Sequence, residues 1–317
     1  MTFAFVIPFF NEKESLSPLL DKLIEVIRSQ NWKSEIILVD DGSTDGCEKN
    51  LEPYLHQSPP CKLIRFRRNF GQTTAIQAGF EACTADVVVT MDADLQNAPE
   101  DIPRLIERIN QGFDVVSGWR RHRADPFFSR TLPSLIANVL IRRVTGVPLH
   151  DFGCTLKAYR LNILREFRLY GEMHRFIPVC ASWQGARIAE VEVTHHPRRH
   201  GESKYGMIRV LKVVLDLLTI KFLGDFSTKP LYFFGGTGMV LVSIGAVAAL
   251  VTAIEKYVYG DWVHKNPLLL LAVFFSLMGV QMILIGLLAE IGVRNYYESQ
   301  GKKTFSILEI RGKGLDA

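Results

Sequence analysis

Asp92, Asp94 and Gln96 follow the run Val87-Val88-Val89-Thr90-Met91, and two carboxylates and an amide at that spacing can hold a hard cation. Alternate residues of an extended chain leave on the same side, so Asp92 and Asp94 can share one ligand. Oxygen donors of this kind suit Mg2+ or Mn2+ shared with a diphosphate. The apolar, β-branched run before them predicts a buried parallel strand. In an open α/β sheet, ligands bind beyond the C-terminal ends of the strands, which is where this pair would stand. The plainer alternative is a polar turn closed by Asn97-Ala98-Pro99.

Three further polar clusters also follow strand-like runs. Asn11 and Glu12 come after residues 3–9, Asp40 and Asp41 after 35–39, and Asn69 to Gln72 after 62–66. Helical patterns separate these runs at 15–29, 73–83 and 99–111, and a fifth strand is predicted at 114–117. Such alternation implies a parallel sheet with helices on both faces, whose loops share one rim. No G-x-G-x-x-G follows the first strand and no G-x-x-x-x-G-K-[ST] occurs, so neither a dinucleotide site nor a P-loop is supported.

The composition of the 317 residues is uneven. Up to about residue 205 the chain reads as a soluble α/β protein, whereas 231–254 and 267–289 hold no charge. Each is long enough to cross a bilayer as a helix, which predicts two spans, at about 231–254 and 267–290. Basic residues crowd 198–230 and the tail from 296 to 317, while the loop between the spans carries only Lys256 and Lys265. The positive-inside rule then puts both ends of the chain in the cytoplasm. Residues 206–229, with Arg209, Lys212, Asp216 and Thr219 on one stripe, predict amphipathic helix lying in the interface. The net charge of +4 does not imply nucleic acid. The five cysteines lack metal-type spacing and read as reduced thiols in a cytosolic domain. The chain opens on a strand, with no basic n-region or cleavage site, so no signal peptide is expected.

Taken together, Pro8-x-x-Asn11-Glu12, Val39-Asp40-Asp41-Gly42-Ser43-x-Asp45, Arg68-Asn69-Phe70-Gly71 and Asp92-Ala93-Asp94-Leu95-Gln96 resemble the family 2 glycosyltransferases. Within them the chain resembles the membrane-anchored polyprenyl-phosphate glycosyltransferases, of the dolichyl-phosphate mannose synthase and bacterial undecaprenyl-phosphate types. Asp151-Phe152-Gly153-Cys154-x-Leu156-x-Ala158-Tyr159-Arg160 and Gly201-Glu202-Ser203-Lys204-Tyr205 look most like the undecaprenyl-phosphate 4-deoxy-4-formamido-arabinose transferases. The likeness covers most of the chain and is weakest over the last twenty residues. It implies a GT-A type α/β catalytic domain over 1–205, interfacial helices over 206–229, two transmembrane helices within 230–295 and a cytoplasmic tail. It also implies residence in the bacterial inner membrane and assembly with further copies through the membrane region or tail.

The resemblance assigns roles as well. Pro8, Asn11, Glu12, Asp40 and Gly71 would hold the nucleotide of a UDP-sugar. Asp92, Asp94 and Gln96 would bind the metal and diphosphate, and Arg198 and Lys204 would close over them. Arg120 and Arg130, in a basic and aromatic segment, would grip the phosphate of a polyprenyl phosphate acceptor. The matching simple reading of that segment is a solvated basic loop. Asp151 occupies the family's base position, although a phosphate monoester is largely ionised near neutral pH and needs little base. It could instead orient the acceptor. Asp41 and Asp45 read as structural, Glu290 and Arg294 as a helix-end pair, and His195, His196 and His200 as poor metal ligands beside arginines. The expected reaction is inverting transfer of the sugar to the lipid phosphate, with the sugar itself unspecified. Two alternatives remain at this stage. A processive polysaccharide synthase would need Gln-x-x-Arg-Trp and more helices, which are absent. A non-catalytic scaffold would have no need of Asp92, Asp94 and Asp151.

Overall fold

The computed structural model describes residues 1–121, 132–169, 173–197, 229–259 and 266–299, with helical fragments between 215 and 226. Its strands are β1 (Phe3–Phe9), β2 (Ser34–Asp40), β3 (Cys61–Arg65), β4 (Val87–Thr90), β5 (Val115–Trp119), β6 (Lys157–Arg160) and β7 (Ile188–Glu192). They form one sheet in the order β3-β2-β1-β4-β6-β5-β7. The longer helices are α1 (Leu16–Ser29), α2 (Gln72–Glu81), α3 (Ile102–Asn110), α4 (Leu132–Thr145), α5 (Ile177–Trp183), α6 (Pro230–Tyr259) and α7 (Pro267–Ser299).

The period of two along β1 assigns its side chains to two cores. Phe5 and Ile7 pack with Leu19 and Leu23 of α1 and Leu105 and Ile109 of α3. Ala4 and Val6 pack on the other face with Ala75, Ile76 and Phe80 of α2 and Ile177 of α5. The spacing of Leu16, Leu19, Leu20, Leu23 and Ile27 explains why α1 buries a single stripe.

β1, β2, β3 and β4 run parallel, so the clusters expected after each of them do share one rim. The sheet departs from simple alternation at β6, which is antiparallel to β4 and β5. That reversal brings the start of β6 to the rim, with Lys157 opposite Thr90 and Ser117. The preceding segment, 151–156, therefore enters the sheet at the rim where the other loops leave it.

The chain divides into compact units at Met1–Ile220 and Lys221–Ala317. In the second, Pro230–Val258 and Pro267–Val293 are long and apolar enough to cross a membrane. Only 17% and 11% of their most apolar windows are buried, so they are not core helices. They pack through Gly238 and Gly279, where a Cβ on either glycine would meet the other's carbonyl oxygen at 2.6 Å. Most of the expected interfacial stretch 206–229 and the tail 300–317 lie outside the described residues.

Gly42 sets the spacing between two rim loops. It sits at φ +78°, and a Cβ there would lie 2.4 Å from the backbone carbon of Arg68. Gly46 has φ +74° but nothing within 4 Å of the same position. Gly42→Ala is therefore expected to lose about 2–4 kcal/mol, from clash added to backbone strain. Gly46→Ala should lose only about 1 kcal/mol. Thermal unfolding of the two variants checks this, and equal losses would contradict the close packing.

Candidate active site

The rim is tied together by backbone N–H groups and carboxylates from neighbouring loops. Asp41 is buried at the exit of β2, and its two oxygens accept the N–H groups of Phe70 at 2.7 Å and Gly71 at 3.0 Å. Burial, and to a lesser degree the charge of Asp40, raises its pKa even though those N–H groups oppose the shift. Asp41 thus fixes the start of α2. Asp45 accepts from the N–H of Lys13 and of Cys47, so it also ties loops together.

The nucleotide-side residues named from the sequence divide in two. Pro8 is buried in β1 opposite Val39, and Asp40 is fully buried. The Asp40 carboxylate ion-pairs with Arg65 Nε at 3.0 Å and accepts the Ser43 N–H at 2.7 Å on Oδ1, while its buried Oδ2 has no hydrogen-bond donor among the described residues. Asn11 stands exposed in the left-handed region at φ 57°, where its side chain accepts the Thr44 N–H at 2.8 Å. Glu12 accepts from the Ser15 hydroxyl at 2.6 Å at the entry to α1. Gly71 caps α2. Arg130, Arg198, Lys204 and His200 lie outside the described residues.

Asp92 and Asp94 stand at the β4 exit, as expected. Between Asp94 and Gln96 the chain passes through Leu95 at φ 60°, a strained conformation for a bulky residue. The Gln96 N–H closes back on Asp94 Oδ1 at 3.1 Å. Gln96 is otherwise engaged with His196: its carbonyl accepts the His196 N–H at 2.9 Å, and its Nε2 donates to the His196 carbonyl at 3.4 Å. Asn97 and His195 form a bridge beside this pair. The two histidines thus anchor the end of β7 to the Asp94 loop.

Asp92 takes a hydrogen bond from Gln72 Nε2 at 2.7 Å, from the first turn of α2. Burial of its carboxylate and the charge of Asp94 push its pKa up to about 7, while Thr155, Arg120 and Lys157 hold it down. Two neighbouring carboxylates, one driven toward neutrality, would gain from a divalent cation, so Asp92 and Asp94 fit Mg2+ or Mn2+. Among the described residues no three acidic, His or Cys side chains gather as an all-protein cage. The fit is to a cation whose shell is completed by water and diphosphate.

Opposite the carboxylates lies an ion pair whose acidic partner is buried. Arg120, just past β5, meets Asp151 through two forked bonds, Nε–Oδ2 at 2.8 Å and Nη2–Oδ1 at 3.1 Å. Asp151 is fully buried and also accepts the Gly153 N–H at 3.1 Å. Burial pulls the Arg120 pKa down, but the Asp151 charge more than offsets this and leaves it above its usual range. The two residues that sequence reasoning assigned separately, to acceptor binding and to catalysis, are thus partners.

Three residues that sequence reasoning passed over build this corner. Glu190 of β7 accepts the N–H groups of His150 at 2.9 Å and Asp151 at 3.0 Å, and meets the His150 ring at 2.8 Å. Lys157 is 2% exposed and donates to the carbonyls of Phe152 and Cys154. Burial lowers its pKa against the pull of Asp151 and Asp92. Thr155 receives Asn97 Nδ2 at 3.0 Å, and its carbonyl accepts the Thr90 hydroxyl at 2.8 Å. A lone lysine inside an apolar run was a visible signal; Glu190 in an alternating strand was not.

Residues 4–168 match the profile described as glycosyl transferase family 2. The chain belongs to this family. Dodecaprenyl-phosphate galacturonate synthase of Rhizobium johnstonii is 41% identical over 309 residues, spanning 96% of this chain and 91% of that protein. Undecaprenyl-phosphate 4-deoxy-4-formamido-L-arabinose transferase of Pseudomonas fluorescens is 39% identical, over 96% of this chain and 88% of its own. Among solved structures, glucosyl-3-phosphoglycerate synthase of Mycobacterium tuberculosis, crystallised with Mn2+ and UDP-glucose, superposes with a TM-score of 0.54 at 17% identity. That match covers 70% of this chain and 78% of the other, and it supports the GT-A type fold alone. The family 2 glycosyltransferase fold thus accounts for the mostly parallel sheet and its single loaded rim.

The raised Asp92 pKa has a measurable sign. Its folded value, about 7, lies above the unfolded value of about 4. The folded state therefore binds the proton more tightly, and this contribution to stability is lost as pH rises from about 4 through about 7. Asp92→Asn should raise the metal-free melting temperature at pH 8 and change it little at pH 5. Equal shifts at both pH values would contradict the strain assigned to this carboxylate.

Proposed function

We propose that this glycosyltransferase moves a sugar from a UDP-sugar to the phosphate of a polyprenyl phosphate, with inversion at the anomeric carbon and with Mg2+ or Mn2+ required. The observation that carries this reading is the pairing of opposite charges across one rim. Asp92 and Asp94 stand on one side, and the Arg120–Asp151 pair stands on the other. The names of relatives aligned over nearly the whole chain support the lipid acceptor, since both are polyprenyl-phosphate transferases. The donor and the metal rest on the fit of Asp92 and Asp94, two carboxylates of which one is driven toward neutrality, to a divalent cation shared with a diphosphate.

The chain's own residues then divide the work. Asp92 and Asp94 would hold the cation, which when bound would neutralise the diphosphate as it leaves. Asp41 and Gly42 keep the β2 and Asn69–Gln72 loops packed, which shapes the nucleotide pocket. Asp40 shapes it too, through Arg65 and Ser43, rather than by reaching into open space. Arg120 has Nε and one edge of Nη2 committed to Asp151, which leaves its Nη1 donors for the acceptor phosphate. The phosphate oxygen attacks the anomeric carbon, and the bond from that carbon to the diphosphate oxygen breaks. No proton need leave the nucleophile, because a phosphate monoester with a second pKa of about 6 is already largely ionised. Asp151 therefore serves as the orienting partner of Arg120. Positive-inside charge supports a cytoplasmic catalytic unit and cytoplasmic termini.

Incubation of the purified full chain in detergent with undecaprenyl phosphate, Mn2+ and a panel of UDP-sugars is the test. One lipid-linked sugar is expected, reduced at least about 100-fold in Asp94→Ala, as removal of an essential charge stabiliser implies, and abolished by EDTA. A product that survives both treatments would rule out the assigned metal role. No product with any donor, together with intact metal-dependent UDP binding, would count against the polyprenyl acceptor.

A further inference from the structure

Asp92 is held by side chains from two elements that are distant in the chain. Gln72 Nε2, in the first turn of α2, donates to its Oδ1 at 2.7 Å. The second partner is Thr155, whose side chain hydrogen-bonds the same carboxylate. An ionised carboxylate only accepts, so the Thr155 hydroxyl donates. Its oxygen in turn accepts Asn97 Nδ2 at 3.0 Å, which leaves the hydroxyl proton for Asp92. Asn97 is buried, and its Oδ1 accepts from the Cys154 thiol, so the orientation of the amide is fixed. The Thr155 backbone is fixed as well. Its carbonyl accepts the Thr90 hydroxyl at 2.8 Å, and Lys157 ties down the carbonyls of Phe152 and Cys154 just before it.

We propose that Thr155 is a positioning residue for the metal site, and that its grip on Asp92 makes the site prefer Mg2+ or Mn2+ to Ca2+. A carboxylate offers about four acceptor positions, and Gln72 and Thr155 fill two of those on Asp92. The same two bonds, from separate elements, stop the group from turning. Mg2+ demands near-octahedral oxygen ligands at short distance, and Mn2+ favours the same octahedral oxygen shell. Ca2+ takes about six to eight oxygens at longer and more variable distances, often including both oxygens of one carboxylate. A fixed carboxylate with few open positions therefore suits the smaller ions, which lose most when a ligand is free to swing. Thr155 would not touch the ion; it acts through Asp92, as partners that orient metal ligands do. One short segment thus carries Asp151, which meets Arg120, at its start and Thr155, which meets Asp92, near its end. This inference rests on the cation proposed above for Asp92 and Asp94.

The test titrates the purified full chain in detergent with Mn2+ alone, reads free Mn2+ by electron paramagnetic resonance, and then displaces the bound ion with Ca2+. Asp94→Ala locates the ion. Wild-type binding that is absent, or that survives Asp94→Ala, would defeat the metal reading and this inference with it. With the ion at the pair, wild type should hold Mn2+ more tightly than Ca2+, and equal affinities would overturn the inference. Thr155→Val keeps the shape of the side chain and removes the hydroxyl. It should weaken Mn2+ binding about tenfold and leave Ca2+ nearly unchanged, so that the preference falls by the same factor. Protonation of Asp92 acts on both ions alike and cancels in that ratio. Thr155→Ser restores the hydroxyl and should restore the preference. An unchanged ratio in Thr155→Val would overturn the inference even if both affinities fell, because general loosening of the segment weakens the two ions together. Thr155→Ser behaving like Thr155→Val would overturn it as well.

Discussion

The forked pair between Arg120 and Asp151 is the interaction on which the rest of the site depends. Asp151 is fully buried and the Arg120 side chain is only 17% exposed, and a buried charge without its partner costs several kcal/mol. The surroundings answer that demand from several elements. β7 contributes Glu190, which grips the His150–Asp151 backbone, and β6 contributes Lys157, which ties down Phe152 and Cys154. α4 contributes Asn138. The antiparallel direction of β6 is what starts this strand at the rim beside the end of β5, where Arg120 follows.

Across the rim the opposite problem arises. Asp92 and Asp94 are like charges in a partly desolvated place, relieved only in part by Gln72, Thr155 and the cations nearby. The folded chain holds them there against their preference, with backbone strain at Leu95. Such an arrangement favours a ligand that brings positive charge and its own phosphate oxygens. On the proposed function, the excess negative charge on one side and the Arg120 donors on the other would give a donor diphosphate and an acceptor phosphate separate places to bind.

Much of this was legible in the sequence because strand ends carry information. Asp92 and Asp94, Asp40 and Asp41, and Asn69 to Gln72 each follow an apolar run, and parallel topology brings such ends together. The structural reading of Asp41 and Asp45 agrees with the hydrogen bonds they make. The two charge-free stretches are found as α6 and α7. What the sequence concealed depends on topology. Helices precede β6 and β7 as they do the earlier strands, yet β6 runs antiparallel to both its neighbours, so its direction and the sheet order could not be read from periodicity. Glu190 looks like an ordinary solvent-facing strand residue until β7 is set beside β5. Nor could spacing reveal that Arg120 and Asp151, thirty-one positions apart, would meet.

A double-mutant cycle on Arg120→Gln and Asp151→Asn, read as kcat/KM for the lipid acceptor together with melting temperature, tests the central claim most directly. If Asp151 works by holding Arg120, the two losses overlap, and the double variant is no worse than the poorer single one. Its stability should also recover, since neither buried charge is left alone. Losses that multiply, with Asp151→Asn lowering kcat at an unchanged acceptor KM, would contradict the account and restore Asp151 as an independent catalytic group.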